Sequence, residues 1–360
     1  MSKVTLKQVR KSYGAVNVVN DVSLEIAHGE FVTILGASGS GKTTCLRMVA
    51  GFVTPDSGHI LLGEENVTHV PAHKRNTAMV FQQYALFPHL SVAENVQFGL
   101  KVRGVERREA ERRTQEALKL VHLDELGHRY PRQLSGGQRQ RVALARAVVI
   151  KPKVLLLDEP LGALDLKLRE ELQGEIKRVQ QSLGITTLFV THDQGEALSM
   201  SDRVVVMRNG KIDQVAAPEA LYNRPASVYV ANFVGRTNTI SAQVVEGPDV
   251  GGVYTLASDV SPQKTLRAFN TGGGRFSVGD TCLVCFRPEN VHLGDVHPNR
   301  IVVTSEKATY HGDNWSLSCI SSEGSQMTLR LPKGSDIPSS QAAVSISWPV
   351  ESSFILKPDA

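Results

Sequence analysis

A chain of 360 residues with 41% hydrophobic and 21% charged residues has the composition of an ordinary globular protein and length for roughly two domains. A net charge of +4, with no Lys/Arg block free of acids, gives no support for a nucleic-acid partner. Cys45, Cys282, Cys285 and Cys319 form no disulfide framework and fit a reducing compartment; no run of eighteen apolar residues or apolar leader is present, so no membrane span or signal peptide is expected.

Residues 3–9 alternate and predict a first strand, followed by a polar turn KSYG that contains Tyr13. A second strand over 21–27 ends at His28-Gly29-Glu30. Phe31-Val32-Thr33-Ile34-Leu35 is short, apolar and β-branched, as a buried strand should be. The next nine residues, Gly36-Ala37-Ser38-Gly39-Ser40-Gly41-Lys42-Thr43-Thr44, fit the phosphate-loop pattern, and a helix from Thr44 to Ala50 stops at Gly51. Strand, glycine loop and helix in that order are the context the motif requires. The glycines let backbone N–H groups turn inward at a helix N-terminus, which makes an anion cradle. Lys42 adds charge for the outer phosphates, and the Thr43 hydroxyl is a candidate Mg²⁺ ligand.

Further strands are expected at 57–62 and 77–81. From Leu90 to about Ile150 the pattern is helical, opening on a capping box from Ser91 to Glu94. The helix over 105–122 carries charges of alternating sign, a solvated face. Leu134-Ser135-Gly136-Gly137-Gln138 opens a helix that runs from about Gly137 to Ile150, a second helix N-terminus suited to an anion. Val154-Leu155-Leu156-Leu157 predicts a strand buried on both faces and ends in Asp158-Glu159. Asp158 is placed to hold Mg²⁺, and Glu159 to orient and deprotonate a water. Leu164, Leu168, Leu172, Ile176, Val179 and Leu183 then give one apolar face of a long helix. Strands at 186–191 and 203–207 flank a short helix over 194–200, Asn209-Gly210 signals a hairpin into Lys211–Ala216, and short helices follow near 218–223 and 227–233. Past Gly235 helical periodicity disappears, and 236–360 reads as a small all-β domain with strands at 281–286, 299–304, 315–320 and 326–331. The Cys282/Cys285 pair sits in one of these strands and reads as core, and Gly272-Gly273-Gly274 as a hairpin loop.

Two anion-ready helix starts for one nucleotide is a puzzle that a family resemblance answers. Phosphate loop, Ser135–Gln138, Asp158-Glu159 and His192 in VTHD stand in the order of the ATP-binding subunit of an ABC transporter, which the chain resembles nearly end to end. The resemblance implies an α/β P-loop ATPase cassette over 1–235, with a helical subdomain over about 84–150, followed by an OB-like, TOBE-type β domain over 236–360. It implies ATP and Mg²⁺ as cofactors. Gln82 matches the glutamine loop that touches Mg²⁺ and the attacking water, with Gln83 as the alternative; His192 matches the switch histidine, and Tyr13 the aromatic that stacks on adenine. Ser135, Gly136, Gly137 and Gln138 match the signature, and Gly162-Ala163-Leu164-Asp165 the loop that crosses a dimer interface. Two copies would pair head to tail, each ATP lying between one chain's phosphate loop and the other's signature. The implied partners are a homodimeric second copy, two integral membrane permease subunits, near which Tyr84–His89 would lie, and an extracytoplasmic solute-binding protein. The implied location is peripheral, on the cytoplasmic face of the membrane.

Phe286-Arg287-Pro288-Glu289 resembles the Arg-Pro-Glu motif of TOBE domains in importers of sugars, polyamines, ferric iron, sulfate and phosphonates. Phe233-Val234-Gly235-Arg236-Thr237-Asn238 lacks the Ser-Pro-x-Met-Asn stretch of sugar importers, which leaves polyamine first, then iron and phosphonate. Two rival classes are weaker. A DNA or ribosome ABC ATPase would need a long coiled coil or a second cassette, and a P-loop kinase has no use for Glu159 beside Asp158 or for the signature.

Overall fold

The computed structural model describes residues 2–83, 85–162, 164–272 and 274–358. Chain contacts divide it between Pro218 and Glu219, ahead of the expected boundary at 235, into two compact units.

In the first unit the strands are β1 (Val4–Tyr13), β2 (Val16–Ile26), β3 (Phe31–Gly36), β4 (Ser57–Leu62), β5 (Glu65–Asn66), β6 (Thr77–Val80), β7 (Val154–Asp158), β8 (Thr186–Thr191), β9 (Arg203–Arg208) and β10 (Lys211–Ala216). Its helices are α1 (Lys42–Ala50), α2 (Val92–Val102), α3 (Arg107–Leu120), α4 (Gly136–Val148), α5 (Leu166–Leu183) and α6 (Gln194–Met200). One sheet is antiparallel, in the order β2-β1-β4-β5; the other runs β10-β9-β3-β8-β7-β6. In the second sheet β9, β3, β8, β7 and β6 are parallel, and every residue of β3, β7 and β8 is buried. Strands covered on both faces are mostly apolar, as in β3 and β7, whereas β8 buries three threonines, Thr186, Thr187 and Thr191, beside its Leu-Phe-Val centre.

Local chemistry ends the elements where it should. α1 stops at Gly51 in the left-handed region, where Arg75, itself buried, donates Nη1 to the last carbonyls of Met48 (2.6 Å) and Val49 (2.8 Å). Ser91 and Glu94 form the expected capping box of α2. α5 is capped by Asp165 and ends at Gly184, φ 59°. Asn209 (φ 50°) and Gly210 (φ 77°) turn β9 into β10 with the positive angles a tight hairpin needs.

Two expectations need correction. The first strand does not stop before a turn at Tyr13: β1 runs on through it, with register shifts, and Tyr13 pairs with Val16. The long apolar face is also shorter than its periodicity: Leu172, Ile176 and Val179 are buried, but Leu183 is 45% exposed in the last turn of α5.

The second unit begins with α7 (Pro218–Asn223) and α8 (Val228–Phe233) and continues as β11 (Asn238–Glu246), β12 (Val253–Ala257), β13 (Thr265–Asn270), β14 (Thr281–Phe286), β15 (His292–Leu293), β16 (Asn299–Tyr310), β17 (Asn314–Ser321), β18 (Gln326–Pro332), β19 (Ala343–Trp348) and β20 (Ser353–Leu356). β11-β12-β13-β20-β14 close into a barrel, and β15-β19-β16-β17-β18 form a second sheet. Trp348, fully buried, stacks on Phe286 at 3.9 Å and donates its indole N–H to Ser353 Oγ at 2.8 Å. Cys282 and Cys285 are buried in different apolar clusters, on opposite faces of β14, as core residues. Gly273, in the expected hairpin loop, lies outside the described residues.

Arg287 ties the two helices to the barrel within this unit. Its Nη1 donates to Ala231 O (2.7 Å), Thr237 Oγ1 (2.6 Å) and Arg236 O (3.2 Å), and its Nη2 to Tyr222 O (2.8 Å). The guanidinium also stacks 4.1 Å from the Tyr222 ring centre, and the Tyr222 hydroxyl donates to Glu289.

Candidate nucleotide site

Because β6, β7, β8 and β3 are parallel neighbours, their carboxyl ends form one rim. The register pairs Leu35 with Thr191, Val190 with Asp158, and Leu157 with Val80. Four sequence-predicted features are therefore brought to that rim: the glycine loop after β3, Gln82 after β6, Asp158-Glu159 at the end of β7, and His192 after β8. Ligands of open α/β sheets bind outside such strand ends.

The loop is built by close approach. A Cβ on Gly36 would meet Met207 O and Ser40 Oγ, each at 2.6 Å. Gly41 holds φ 101°, and a Cβ there would lie 2.5 Å from Val18 O. Lys42 is 5% exposed and curls back, its Nζ donating to Gly36 O (2.8 Å) and Ala37 O (2.9 Å). Burial pushes its pKa down, while Glu159 and Asp158 push it up. The Ser40 hydroxyl oxygen is buried without a hydrogen-bond partner. Such an orphaned polar atom inside a cradle of backbone N–H groups fits an anionic phosphate chain.

The Thr43 hydroxyl donates to Asp158 Oδ1 at 3.3 Å. Burial raises the pKa of Asp158 above the usual carboxylate range, with the Thr43 hydroxyl opposing it. No group of three or more His, Cys, Asp or Glu side chains able to hold a metal occurs among the described residues. A hydroxyl and one carboxylate are nonetheless the donor set that suits Mg²⁺, which keeps its waters and takes its remaining ligands from phosphates.

Glu159 has a left-handed backbone, φ 44°, and donates its N–H to Val190 O at 3.0 Å. That conformation costs a non-glycine residue about 1–2 kcal/mol and is a strain of the kind found at functional sites. His192 Nδ1 lies 3.1 Å from Glu159 Oε2. The amide nitrogen of Gln82 sits 3.8 Å from where a Cβ on Gly162 would stand, so this side chain lies against the loop that follows Glu159.

The remaining expected residues stand apart from this cluster. Ser135 caps α4, accepting from the Gln138 N–H at 3.3 Å while Gln138 Oε1 accepts from the Ser135 N–H at 3.0 Å. Gly137 packs against Leu168 of α5. Among the described residues, no hydrogen bond joins 135–138 to the glycine loop. Tyr13 is 51% exposed, with Lys11 Nζ 5.6 Å from its ring centre. Phe87 of the 84–89 segment packs on Phe98 (4.5 Å) and under Arg146 (5.7 Å), while Tyr84 and Ala163 lie outside the described residues. Sequence reasoning gave no role to Arg169, or to Asp193 at the end of the VTHD stretch, and their signal is a tertiary one, since their partners lie across elements.

A sheet rim with a glycine loop, a buried lysine, and a hydroxyl facing a carboxylate defines a P-loop nucleotide-binding protein. A family model described as ABC transporter matches residues 19–162. The chain is 48% identical, over 81% of its length and 76% of the relative's, to the spermidine/putrescine import ATP-binding protein PotA of Vibrio cholerae. It is 43% identical to the protein of the same name from Rubrobacter xylanophilus, over 98% of this chain and 93% of that one. Among solved structures it is similar to a bacterial ABC transporter cassette seen as a dimer, with a TM-score of 0.54 and 32% identity over 60% of this chain and 98% of the cassette. A post-hydrolysis form of a cassette bound to ADP and phosphate matches at a TM-score of 0.53 and 33% identity, over the same shares. The chain belongs to the ABC transporter family, as an ATP-binding subunit. No helix among the described residues is long and apolar enough to cross a membrane.

Proposed function

We propose that this subunit hydrolyses ATP to drive import of polyamines of the spermidine and putrescine class. In this reading it lies on the cytoplasmic face of the membrane as a homodimer. It docks on two permease subunits served by an extracytoplasmic solute-binding protein, with 1–235 as the motor and 236–360 as a TOBE-type domain. The solute assignment rests on the names and high identity of the relatives. The chemical assignment rests on one observation, the Glu159-His192 pair at the rim that also carries Thr43 and Asp158.

Each residue then has a physical task. The loop N–H groups of Gly36–Thr44 and the Lys42 ammonium hold the phosphates, and Tyr13 stacks on the base. Thr43 and Asp158 would hold Mg²⁺, with Gln82 as a further contact; the ion supplies neutralising charge on the phosphate oxygens. Glu159 orients a water and takes its proton, and His192 contacts the terminal phosphate. Ser135–Gln138, at the start of α4, completes the site of a second copy with the positive end of that helix.

The test is ATP turnover by the assembled transporter in vesicles, with its binding protein. Spermidine or putrescine should stimulate it, and Glu159→Gln should keep ATP binding while lowering turnover by about 10²–10⁴-fold. Stimulation by ferric iron or a phosphonate alone would displace the solute reading. Wild-type turnover in the Gln variant would remove Glu159 as the base.

A further inference from the structure

Arg169 lies in the first turn of α5, its N–H bonded to Asp165 O at 2.9 Å. Its side chain is three-quarters buried, 25% exposed, and joins two rim loops. Nη2 donates to Leu164 O at 3.1 Å, in the loop that follows Glu159. Nη1 donates to Asp193 Oδ2 at 3.1 Å, in the residue after His192. Nε faces Glu196 Oε1 at 3.9 Å. The acceptors are themselves fixed. Asp193 donates its N–H to Thr191 Oγ1 (3.0 Å) and accepts from the Glu196 N–H at Oδ1 (3.0 Å). The Thr191 hydroxyl donates to the buried Glu196 at 2.5 Å.

A guanidinium is planar and its donors are fixed in a fork, so one branch cannot shift without carrying the other. An ordinary exposed ion pair would contribute little. Here one branch ends on a main-chain carbonyl, and the whole group is packed between elements. We propose that Arg169 is a positioning residue for hydrolysis. It locks Leu164 to the loop bearing His192, so the 3.1 Å approach of His192 to Glu159 is set by where Leu164 sits. The proposal rests on the roles given above to Glu159 and His192.

Steady-state turnover and ATP binding should be measured for Arg169→Ala, Arg169→Lys, His192→Ala and the Arg169→Ala/His192→Ala double variant. Arg169→Ala should leave KM and ATP affinity within about twofold and lower kcat by about 10–100-fold, the scale of a sub-ångström to 1 Å misplacement. Arg169→Lys should recover part of kcat, since an ammonium can pair with Asp193 but cannot also span to Leu164 O. The double variant should be no slower than His192→Ala alone, because both changes remove one device. A kcat for Arg169→Ala within about twofold of wild type, or losses that multiply in the double variant, overturns the proposal. Should Arg169→Ala melt early, Arg169→Lys decides: an unchanged kcat overturns the lock. A slow His192→Ala beside a fast Arg169→Ala sinks this proposal alone. A His192→Ala variant at wild-type rate sinks the site reading and the proposal with it.

Discussion

Two glycines of one loop carry different constraints. Gly41 combines φ 101° with a backbone oxygen 2.5 Å from any added Cβ, whereas Gly39, at φ 78°, faces open space. Gly41→Ala must therefore move β2 or unwind the start of α1, and nucleotide binding should be lost. Gly39→Ala carries only left-handed strain, about 1–2 kcal/mol, so ATP affinity should fall by no more than roughly 5–30-fold. Titration with a fluorescent nucleotide analogue checks the order; equal losses would contradict it. At this scale the sequence was legible wherever a motif ties residue type to backbone geometry, as in Gly36–Thr44 or Asp158-Glu159. It was not legible where a side chain acts across elements. Nothing near Arg169 announces Leu164 O and Asp193 as its partners, and nothing near Arg75 announces the end of α1.

Between elements, the contact of α4 with α5 includes a charge that burial makes costly. Glu175 is 2% exposed and its main counter-ion is Arg141, 2.9 Å away, with His122 and Arg178 also facing it. Burial raises the Glu175 pKa, and Arg141 is the first group pulling it down. Arg141→Met should destabilise the protein by about 3 kcal/mol, because it strands a buried carboxylate, and Arg141→Met/Glu175→Leu should regain most of that. The sign with pH follows from the raised pKa. The single variant loses stability as the pH rises through it, so its deficit against the double variant narrows in acid. Denaturant melts at two pH values check both statements, and a double variant no better than the single would refute the account. Element boundaries were largely readable, since the Ser91 capping box, the Asn209-Gly210 turn and the apolar runs of β3 and β7 are local codes. The extension of β1 through Tyr13 was not, because pairing with β2 overrides a polar, turn-like composition. Leu183 misled in the other direction, as periodicity marks a face but not where its cover ends.

The two units each have their own core, so their stabilities can be separated. A fragment of residues 219–360 should fold alone. A fragment beginning at 236 should be less stable by about 3 kcal/mol, because Arg287 loses two charge-assisted hydrogen bonds, to Tyr222 O and Ala231 O, together with the stacked Tyr222 ring. It also sheds Ala231 and Val228, which pack with Phe354 and Leu356. Comparing denaturation midpoints of the two fragments is the check, and equal stability would show Arg287 to be a passenger. The strand order β10-β9-β3-β8-β7-β6 has a further consequence, for the chain as it is made. β3, which leads into the glycine loop, emerges early, yet both its neighbours, β8 and β9, are among the last strands of the first unit. At about 5–20 residues per second, its apolar edges wait some 8–30 s for partners. During synthesis, then, the strand beneath the nucleotide site is the segment most exposed to mispairing, and a chaperone that shields Phe31–Gly36 would act where the topology leaves the longest delay.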